Sequence, residues 1–351
     1  VKELRAWTLQ QMLEEHCRSY PQKPAVICGG ARYTYPQLAE RVYRLANALA
    51  GAGIGAGARV LWLGQNSHRV LEGLLACACL GAYFCPVNWR QSAAELAFVI
   101  DDLEPGAVLW QGEEIGDEVR RARAQAGYDG GLWLQHDIEG PGGYEHFLAQ
   151  ASPSWRPRPV DPDEPLLIMY TAAFQGRPNG AMLSQTAVLT QDLIIARAQE
   201  LSADTVFLNS GPLFHIGTLA FTFATFHLGG TNVFVRRSDA KTIAETIHEH
   251  ACTYGFVVGK TIAEIVELNR DRRYRLKSFR AQYYDNEWSD QWNDMVTVLP
   301  LEQMPRYGGY GQTEVTGLVT LHYYGPHVQG THGRTVPGAT LRIADENDDE
   351  L

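Results

Sequence analysis

Six cysteines are scattered along the chain, and no two of them stand as C-x-x-C. Cys17, Cys28, Cys77, Cys79, Cys85 and Cys252 therefore offer no zinc knuckle. In a chain of this size they read as buried or half-buried thiols of a reducing compartment. Positive charge is also scarce, with 30 Lys and Arg against 40 Asp and Glu and a net charge of −10. That balance disfavours a general nucleic-acid binder and charge-driven docking on anionic lipid. It leaves room for a small anionic ligand in a local pocket. No apolar run is long enough to span a bilayer: Gly73–Val87 is too short and meets Pro86, and Thr205–Val235 is broken by Pro212, His215, His227 and Gly229-Gly230. The opening Val1–Trp7 has no apolar signal core, so a cytoplasmic location is the expectation. What is abundant is core material. Hydrophobic residues make up 45% and charged residues 20% of 351, which excludes intrinsic disorder. That length predicts about two or three compact units, or one large α/β domain with subdomains.

Helix and strand signals alternate. Thr34-Tyr35-Pro36-Gln37 fits a capping box, and Leu38, Val42, Leu45 and Leu49 follow at helical spacing. Gly51, Gly53, Gly55 and Gly57 end that helix. Their spacing only superficially resembles a dinucleotide fingerprint, because it follows a helix and precedes a strand. Strands are predicted at Arg59–Leu63, Tyr83–Val87 and Ala107–Trp110, and helices at Ser67–Leu80 and from the Ser92/Glu95 capping box to Leu103. Such alternation implies parallel βαβ units. Ser152–Pro165 carries five prolines and reads as a linker or wrapping segment. The alternation then resumes. Strands are predicted at Leu166–Tyr170, Thr205–Asn209, Asn232–Val235 and Thr253–Val258, and near Phe279 and Tyr307. Helices are predicted from Gln185, from a Ser238 cap to His250, at Thr261–Asn269 and at Trp288–Val298. Gly338–Ile343 reads as a strand that opens something new, and the acidic tail after Asp345 as a solvated turn. The fold class is α/β: two doubly wound βαβ subdomains, at 1–165 and 166–325, and the start of a small β subdomain at 326–351.

Three segments can carry chemistry. Tyr170–Ser184 follows an apolar strand and precedes a helix, so its glycines can expose backbone N–H groups to a phosphate; an ordinary surface loop is the alternative. Gly308-Gly309-Tyr310-Gly311-Gln312-Thr313-Glu314 lets a backbone approach a ligand closely. Tyr310 offers a flat face for a base, and Thr313 and Glu314 offer oxygen ligands that suit Mg²⁺; a tight turn with a half-buried tyrosine is the alternative. Pro212-Leu213-Phe214-His215-Ile216-Gly217 sets a histidine among apolar residues. Most such histidines are satisfied core residues, yet a loop after a strand of an α/β sheet is where ligands bind. The cysteines and the late histidines are not expected to form a metal site. Cys77 and Cys79 do not share a helix face, and His322, His327 and His332 lack a carboxylate partner.

Together these segments resemble the AMP-forming acyl-CoA synthetases of the adenylate-forming ligase superfamily, over essentially the whole chain. Thr34–Leu38 is similar to the family's opening helix, and Gly81–Asn88 followed by Glu95-Leu96 to its first-subdomain core. Gly308–Glu314 matches its Tyr-Gly-x-Thr-Glu segment, and Gly333–Gly338 its later Gly-x-Pro-x-Pro-Gly turn. The resemblance implies a two-step reaction. ATP adenylates a carboxylate with release of pyrophosphate, and the thiol of coenzyme A then displaces AMP to give a thioester. It implies ATP, Mg²⁺ and coenzyme A as cofactors, and a small-molecule carboxylic acid, apolar and fatty in character, as partner. Neither nucleic acid nor a transmembrane segment is implied, and a homodimer is left open. On matching positions Thr171, Gly176, Asn179, Gly180, Gly309, Tyr310, Gly311, Gln312 and Thr313 would bind the nucleotide, and Glu314 would hold Mg²⁺. His215, Thr313 and Glu314 would be catalytic, and Phe214, His215, Ile216, Gly217 and Tyr283 would border the acyl pocket.

The sequence departs from that pattern in three places. The family's Ser-Gly-Thr-Thr-Gly run with Pro-Lys-Gly is here Ala172-Ala173-Phe174-Gln175-Gly176 with Pro178-Asn179-Gly180, which removes hydroxyls and one ammonium and leaves Arg177 as the nearby cation. Hydrogen bonds to an ionised phosphate are worth about 1.5–3 kcal/mol each, so slower adenylation or weaker ATP binding is expected. A non-catalytic nucleotide or acyl-CoA binding paralogue is the rival reading, and a carrier-protein thiol a further acceptor. After Arg280 come Tyr283 and Tyr284, which reshape the acyl pocket or, on the plainer reading, lead into a helix capped by Asp285 or Asn286. Finally, the family continues well past the equivalent of Leu351, through a ribose-gripping aspartate, a hinge and a mobile lid with a catalytic lysine. The chain is therefore expected to be a truncated or partly ordered form, impaired in turnover.

Overall fold

The computed structural model describes residues 8–171, 177–281, 287–299, 309–322 and 330–351. Thr8 opens α1 (Leu9–Ser19) with a capping box to Gln11, a start the sequence reading passed over. β1 (Pro24–Cys28) and β2 (Ala31–Thr34) form an antiparallel hairpin. The expected Thr34/Gln37 capping box starts α2 (Tyr35–Gly51), which buries Leu38, Val42, Leu45 and Leu49. β3 (Arg59–Leu63) follows, and Ser67 caps α3 (His68–Leu80). Every residue of α3 except Arg69 is buried, so this apolar run belongs to a helix covered on all sides. Next come β4 (Tyr83–Pro86), α4 (Ala93–Leu103) behind its Ser92/Glu95 box, β5 (Ala107–Trp110), α5 (Gly116–Gln125), β6 (Leu132–Gln135) and α6 (Tyr144–Ala149).

Beyond the proline-rich stretch, β7 (Pro165–Tyr170) is followed by β8 (Gly180–Ser184), which pairs back on it from Pro165↔Ser184 to Tyr170↔Gly180. From the sequence, a loop is expected between the β7 strand and the helix from Gln185. Its second half is instead an edge strand, because the backbone of β7 supplies the hydrogen bonds that an unpaired segment would lack. Then come α7 (Gln185–Ala198), β9 (Val206–Asn209), α8 (Ile216–His227) and β10 (Thr231–Phe234). α9 (Ala240–His250) is capped by Asp239, whose carboxylate accepts from Thr242 N–H at 3.0 Å. The expected cap, Ser238, instead donates to the Ser210 carbonyl. β11 (Tyr254–Gly255), α10 (Gly259–Leu268), β12 (Arg280–Ala281), α11 (Ser289–Met295) and β13 (Thr297–Val298) complete this part.

A six-stranded sheet has the order β6-β5-β3-β4-β7-β8, parallel except for β8, and a five-stranded sheet has the order β11-β9-β10-β1-β2, parallel except for β2. The chain crosses between them twice: β1 and β2 join the later sheet, and β7 and β8 join the earlier one. A boundary at 165/166 thus follows the chain and not the sheets. The largest core, with Leu13, Val42, Leu74, Phe84, Leu167 and Phe226, takes side chains from both sheets and from the helices between them. The outer faces are covered separately, one by α4 and α5, the other by α9, α10 and α11. This is the doubly wound arrangement expected.

A third, antiparallel sheet joins β14 (Gly309–Gln312), β15 (Gly317–Leu321) and β16 (Arg334–Thr335), and packs on α7 through Ile194, Ala198, Leu321 and Val336. The strand expected at Gly338–Ile343 does not form. The pairing partner of β15 is Arg334–Thr335, and the chain turns at Gly338 with φ at 84°. The acidic tail is a turn, with Asp345 accepting from the N–H groups of Asn347 and Asp349 at 2.9 and 3.0 Å.

Candidate functional site

In parallel α/β sheets, ligands bind beyond the carboxyl ends of the strands. Here the carboxyl ends of both sheets meet. The loop after β3 offers Gln65 and Asn66, the loop after β5 Gln111, Glu113 and Glu114, and the loops after β9 and β10 Ser210–His215 and Arg236–Ser238. Gln65 N–H donates to Gln111 Oε1 at 2.9 Å, and Arg236 donates to both Gln65 and Glu113, the latter at 2.7 Å. A cleft of about 300 Å³ opens at this junction, bordered by Asn66, Arg90, Gly211, Thr218, Phe256 and Val258. Arg90 is exposed, with its guanidinium 4.5 Å from the Trp89 ring centroid, and it has no ion-pair partner among the described residues.

His215 caps α8. Its Nδ1 accepts from Gly217 N–H at 3.0 Å, so in the neutral ring the proton sits on Nε2, and the side chain is exposed. The core-histidine alternative is thereby excluded. Phe214 is half-buried and Gly217 exposed, but Ile216 turns into the main core beside Leu219 and Phe223. Ile216 therefore supports the loop from behind rather than facing the cleft.

The hairpin of β14 and β15 depends on its glycines. A Cβ on Gly309 would fall 2.3 Å from the Thr320 carbonyl oxygen, and one on Gly311 would fall 2.1 Å from that of Gly317. Only bare backbone permits such strand contact. Tyr310 is held by its N–H to Thr320 Oγ1 at 2.9 Å, and the residue is 44% exposed to solvent. Gln312 Nε2 donates to the Tyr310 hydroxyl at 2.6 Å. A 3₁₀ turn, Thr313–Val315, follows, with Glu314 exposed and in no ion pair among the described residues.

This turn packs against β8, the strand that leaves the expected phosphate segment, and β15 packs against α8, the helix that His215 caps. The three segments singled out in the sequence thus converge. Of the phosphate segment, Thr171 N–H donates to the Asn179 carbonyl at 3.0 Å and Gly180 pairs with Tyr170, which closes its base; Asn179 is exposed. Arg177 directs its guanidinium over the Phe98 ring at 5.5 Å, beside an open groove of about 760 Å³ along α4. Gly176, Tyr283 and Gly308 lie outside the described residues. Among the described residues no group of three or more His, Cys, Asp or Glu could hold a metal, and no helix is long and apolar enough to cross a membrane. The cysteines are free, and burial pushes the Cys77, Cys79 and Cys85 thiols up.

Sequence reasoning missed Asn66, Arg90, Arg236 and the acids that pair with Arg236. Asn66 has a faint signal, as a polar residue between a strand and a capped helix. The pairing of Arg236 with Gln65 spans 171 positions and has none.

The doubly wound sheets place the glycine hairpin and the histidine-capped helix at one edge of an α/β fold. The chain matches the AMP-binding enzyme family over residues 13–351 and belongs to it. It is 29% identical over 349 residues to indoleacetate–CoA ligase of Aromatoleum aromaticum, covering 97% of this chain and 67% of that protein. It is 26% identical over 361 residues to the fatty acid–[acyl-carrier-protein] ligase ScoC of Streptomyces coeruleorubidus, covering 98% and 66%. The fold is shared with the N-terminal domain of FACL13 from Mycobacterium tuberculosis at a TM-score of 0.80 and 21% identity, covering 98% of this chain and 86% of that one. The chain spans about two thirds of the length of these two ligases.

Proposed function

We propose that this chain is the large nucleotide-binding part of an AMP-forming acid–thiol ligase. A carboxylate oxygen attacks the α-phosphorus of ATP, pyrophosphate leaves, and the acyl-adenylate is then attacked by the thiol of coenzyme A, which releases AMP. The convergence of the Tyr310–Glu314 hairpin, the base of the phosphate segment and the His215 loop carries this reading. Tyr310 stacks on adenine and Thr313 bonds a phosphate oxygen. The exposed carboxylate of Glu314 suits Mg²⁺, which takes one or two protein carboxylates and leaves its other positions to phosphate and water. Such a cation neutralises charge on the phosphates; the chain's own share is positioning and directed dipoles. His215 and Phe214 border the acid. An apolar, fatty acid is the proposed substrate, because Phe256 and Val258 line the cleft that Gly211 and Pro212 of the same loop border.

Incubation with ATP, Mg²⁺, coenzyme A and a panel of aliphatic and aryl acids tests this, with acid-dependent AMP and thioester as the expected products. One observation favours a second reading, a nucleotide-binding paralogue without turnover: Asn179 carries no charge, and Arg177 is directed onto Phe98. Nucleotide binding without AMP release in the same assay selects it. Glu314→Gln is expected to weaken Mg²⁺-ATP binding about tenfold with little change in melting temperature, since a charge-assisted contact is lost at an exposed site. Unchanged Mg²⁺ dependence removes Glu314 from the role. Asn179→Lys is expected to tighten ATP binding about tenfold by restoring an ammonium, read by calorimetry.

A further inference from the structure

Asn66 sits where β3 has ended and α3 has not begun, and its side chain crosses to the other sheet. Nδ2 donates to the Asn209 carbonyl at 3.2 Å and to the Gly211 carbonyl at 2.7 Å, and Oδ1 accepts from Leu213 N–H at 3.3 Å. One amide thus satisfies three backbone groups of the loop that ends in Phe214 and His215. Neighbours fix its direction. Gln65 is held by Gln111 and Arg236, and the Ser67 hydroxyl accepts from Arg69 N–H.

The loop's other side-chain anchors come from its own side of the molecule. Ser210 donates to the Phe256 carbonyl, Ser238 to the Ser210 carbonyl, and Thr218 to the Pro212 carbonyl. At the loop's root, Thr222 Oγ1 donates to Asn209 Oδ1 at 2.6 Å, and Asn209 Nδ2 donates to Asn232 Oδ1 at 3.0 Å. Among the described residues, Asn66 is the one side chain of the first sheet that bonds this loop. Its three partners are backbone groups, which ordinary side-chain substitutions within the loop leave in place, so the Asn66 amide is the part of the tie that a mutation can remove.

We propose that Asn66 is a positioning residue: it fixes the Ser210–His215 loop against the first sheet and so sets where Phe214 and His215 meet the acyl group. This rests on the ligase reading for the identity of the ligand, but not for the tie itself. It predicts a split. The Tyr310–Glu314 hairpin stands on α7 and α8 and makes no contact with Asn66 in these hydrogen bonds, so nucleotide binding is spared while acyl binding is not.

The test uses the chain as it stands, with Asn66→Ala and Asn66→Asp; the second is near-isosteric and sets an oxygen against two carbonyls. Amide hydrogen exchange over residues 210–218 is expected to speed up about tenfold in both, as hydrogen bonds of ordinary worth are lost. Affinity for 5′-O-(N-dodecanoylsulfamoyl)adenosine is expected to fall about tenfold, with affinity for AMP within about twofold, by calorimetry. Unchanged exchange in the loop overturns the proposal, as do equal losses for AMP and the acyl analogue, which would mark general loosening. If the unsubstituted chain binds AMP and the acyl analogue equally, the acyl-site reading fails, while the exchange result still judges the tie.

Discussion

Two charge clusters hold this molecule together, and they are built from the same chemistry. Where α2, α3 and α6 meet, Arg41 bonds Glu145 at 2.9 Å and Glu72 at 3.1 Å, Arg69 reaches Glu145 at 2.7 Å, and the Tyr144 hydroxyl donates to Glu72 at 2.8 Å. Glu72 and Tyr144 are fully buried. At the carboxyl edge of the sheets, Arg236 meets Glu113 and Arg237 meets Glu114, each at 2.7 Å, with the Arg236 and Glu113 side chains 40% and 64% exposed. Distances do not separate the clusters, but solvent does. In the first cluster Glu72 and Tyr144 have no water to fall back on, and the network they anchor locks helices; the second can exchange partners with water and with a charged ligand in the adjoining cleft.

Removing one member of each should therefore give very different losses. Glu72→Ala leaves the half-buried Arg41 with Glu145 alone and strips the fully buried Tyr144 hydroxyl of its acceptor. Breaking a buried ionic network this way costs about 3–5 kcal/mol. Urea denaturation at neutral pH measures it. A loss below about 1 kcal/mol would mean that burial does not set the worth of these pairs.

A third kind of polar group sharpens the contrast, because it is buried and unsatisfied. His136 stacks on Trp62 at 4.6 Å between ring centroids, and neither of its ring nitrogens finds a partner among the described residues. Burial pushes its pKa down to about 3. The neutral ring is thus the folded form, while the unfolded chain takes up a proton near about pH 6.5. Its contribution is fully present above that pH and is lost as pH falls from about 6.5 towards 3, at up to about 1.4 kcal/mol per unit. His68, down at about 4 through burial, adds to the same slope. His136→Phe keeps the stack without the nitrogens. It is expected to gain on the wild type by about 2 kcal/mol between pH 7 and 5, in paired urea titrations.

These contrasts bear on what the sequence could disclose. Helix starts were legible because a cap is a local device: Thr34 with Gln37 and Ser92 with Glu95 form the boxes their spacing predicts. The close approach of Gly309–Glu314 was legible because its glycines answer contacts within a short stretch, but the strand that it pairs with, β15, was not. β8 was not, because the apolar signal of a strand paired on one side is weak. Nor was the exchange of β1 and β7 between sheets, which depends on partners as distant as Val26 and Asn232. Gln65, Asn66, Glu113 and Arg236 acquire meaning only when two sheet edges meet, and no local period announces that.

Glu113 gives the smallest expected effect and the most direct check on the edge cluster. Glu113→Gln keeps a hydrogen-bond acceptor for Arg236 and removes one charge at a site that is mostly solvated. Its coupling is limited by water and by the freedom both side chains lose on pairing, so the stability change should stay below about 1 kcal/mol and shrink further in 1 M salt. The released Arg236 lines the cleft, so the same variant should bind a polyanion such as ATP or coenzyme A no more weakly than the wild type. A larger, salt-insensitive loss would place this pair with Glu72 as a lock rather than an adjustable rim. The two clusters would then differ in exposure without differing in role.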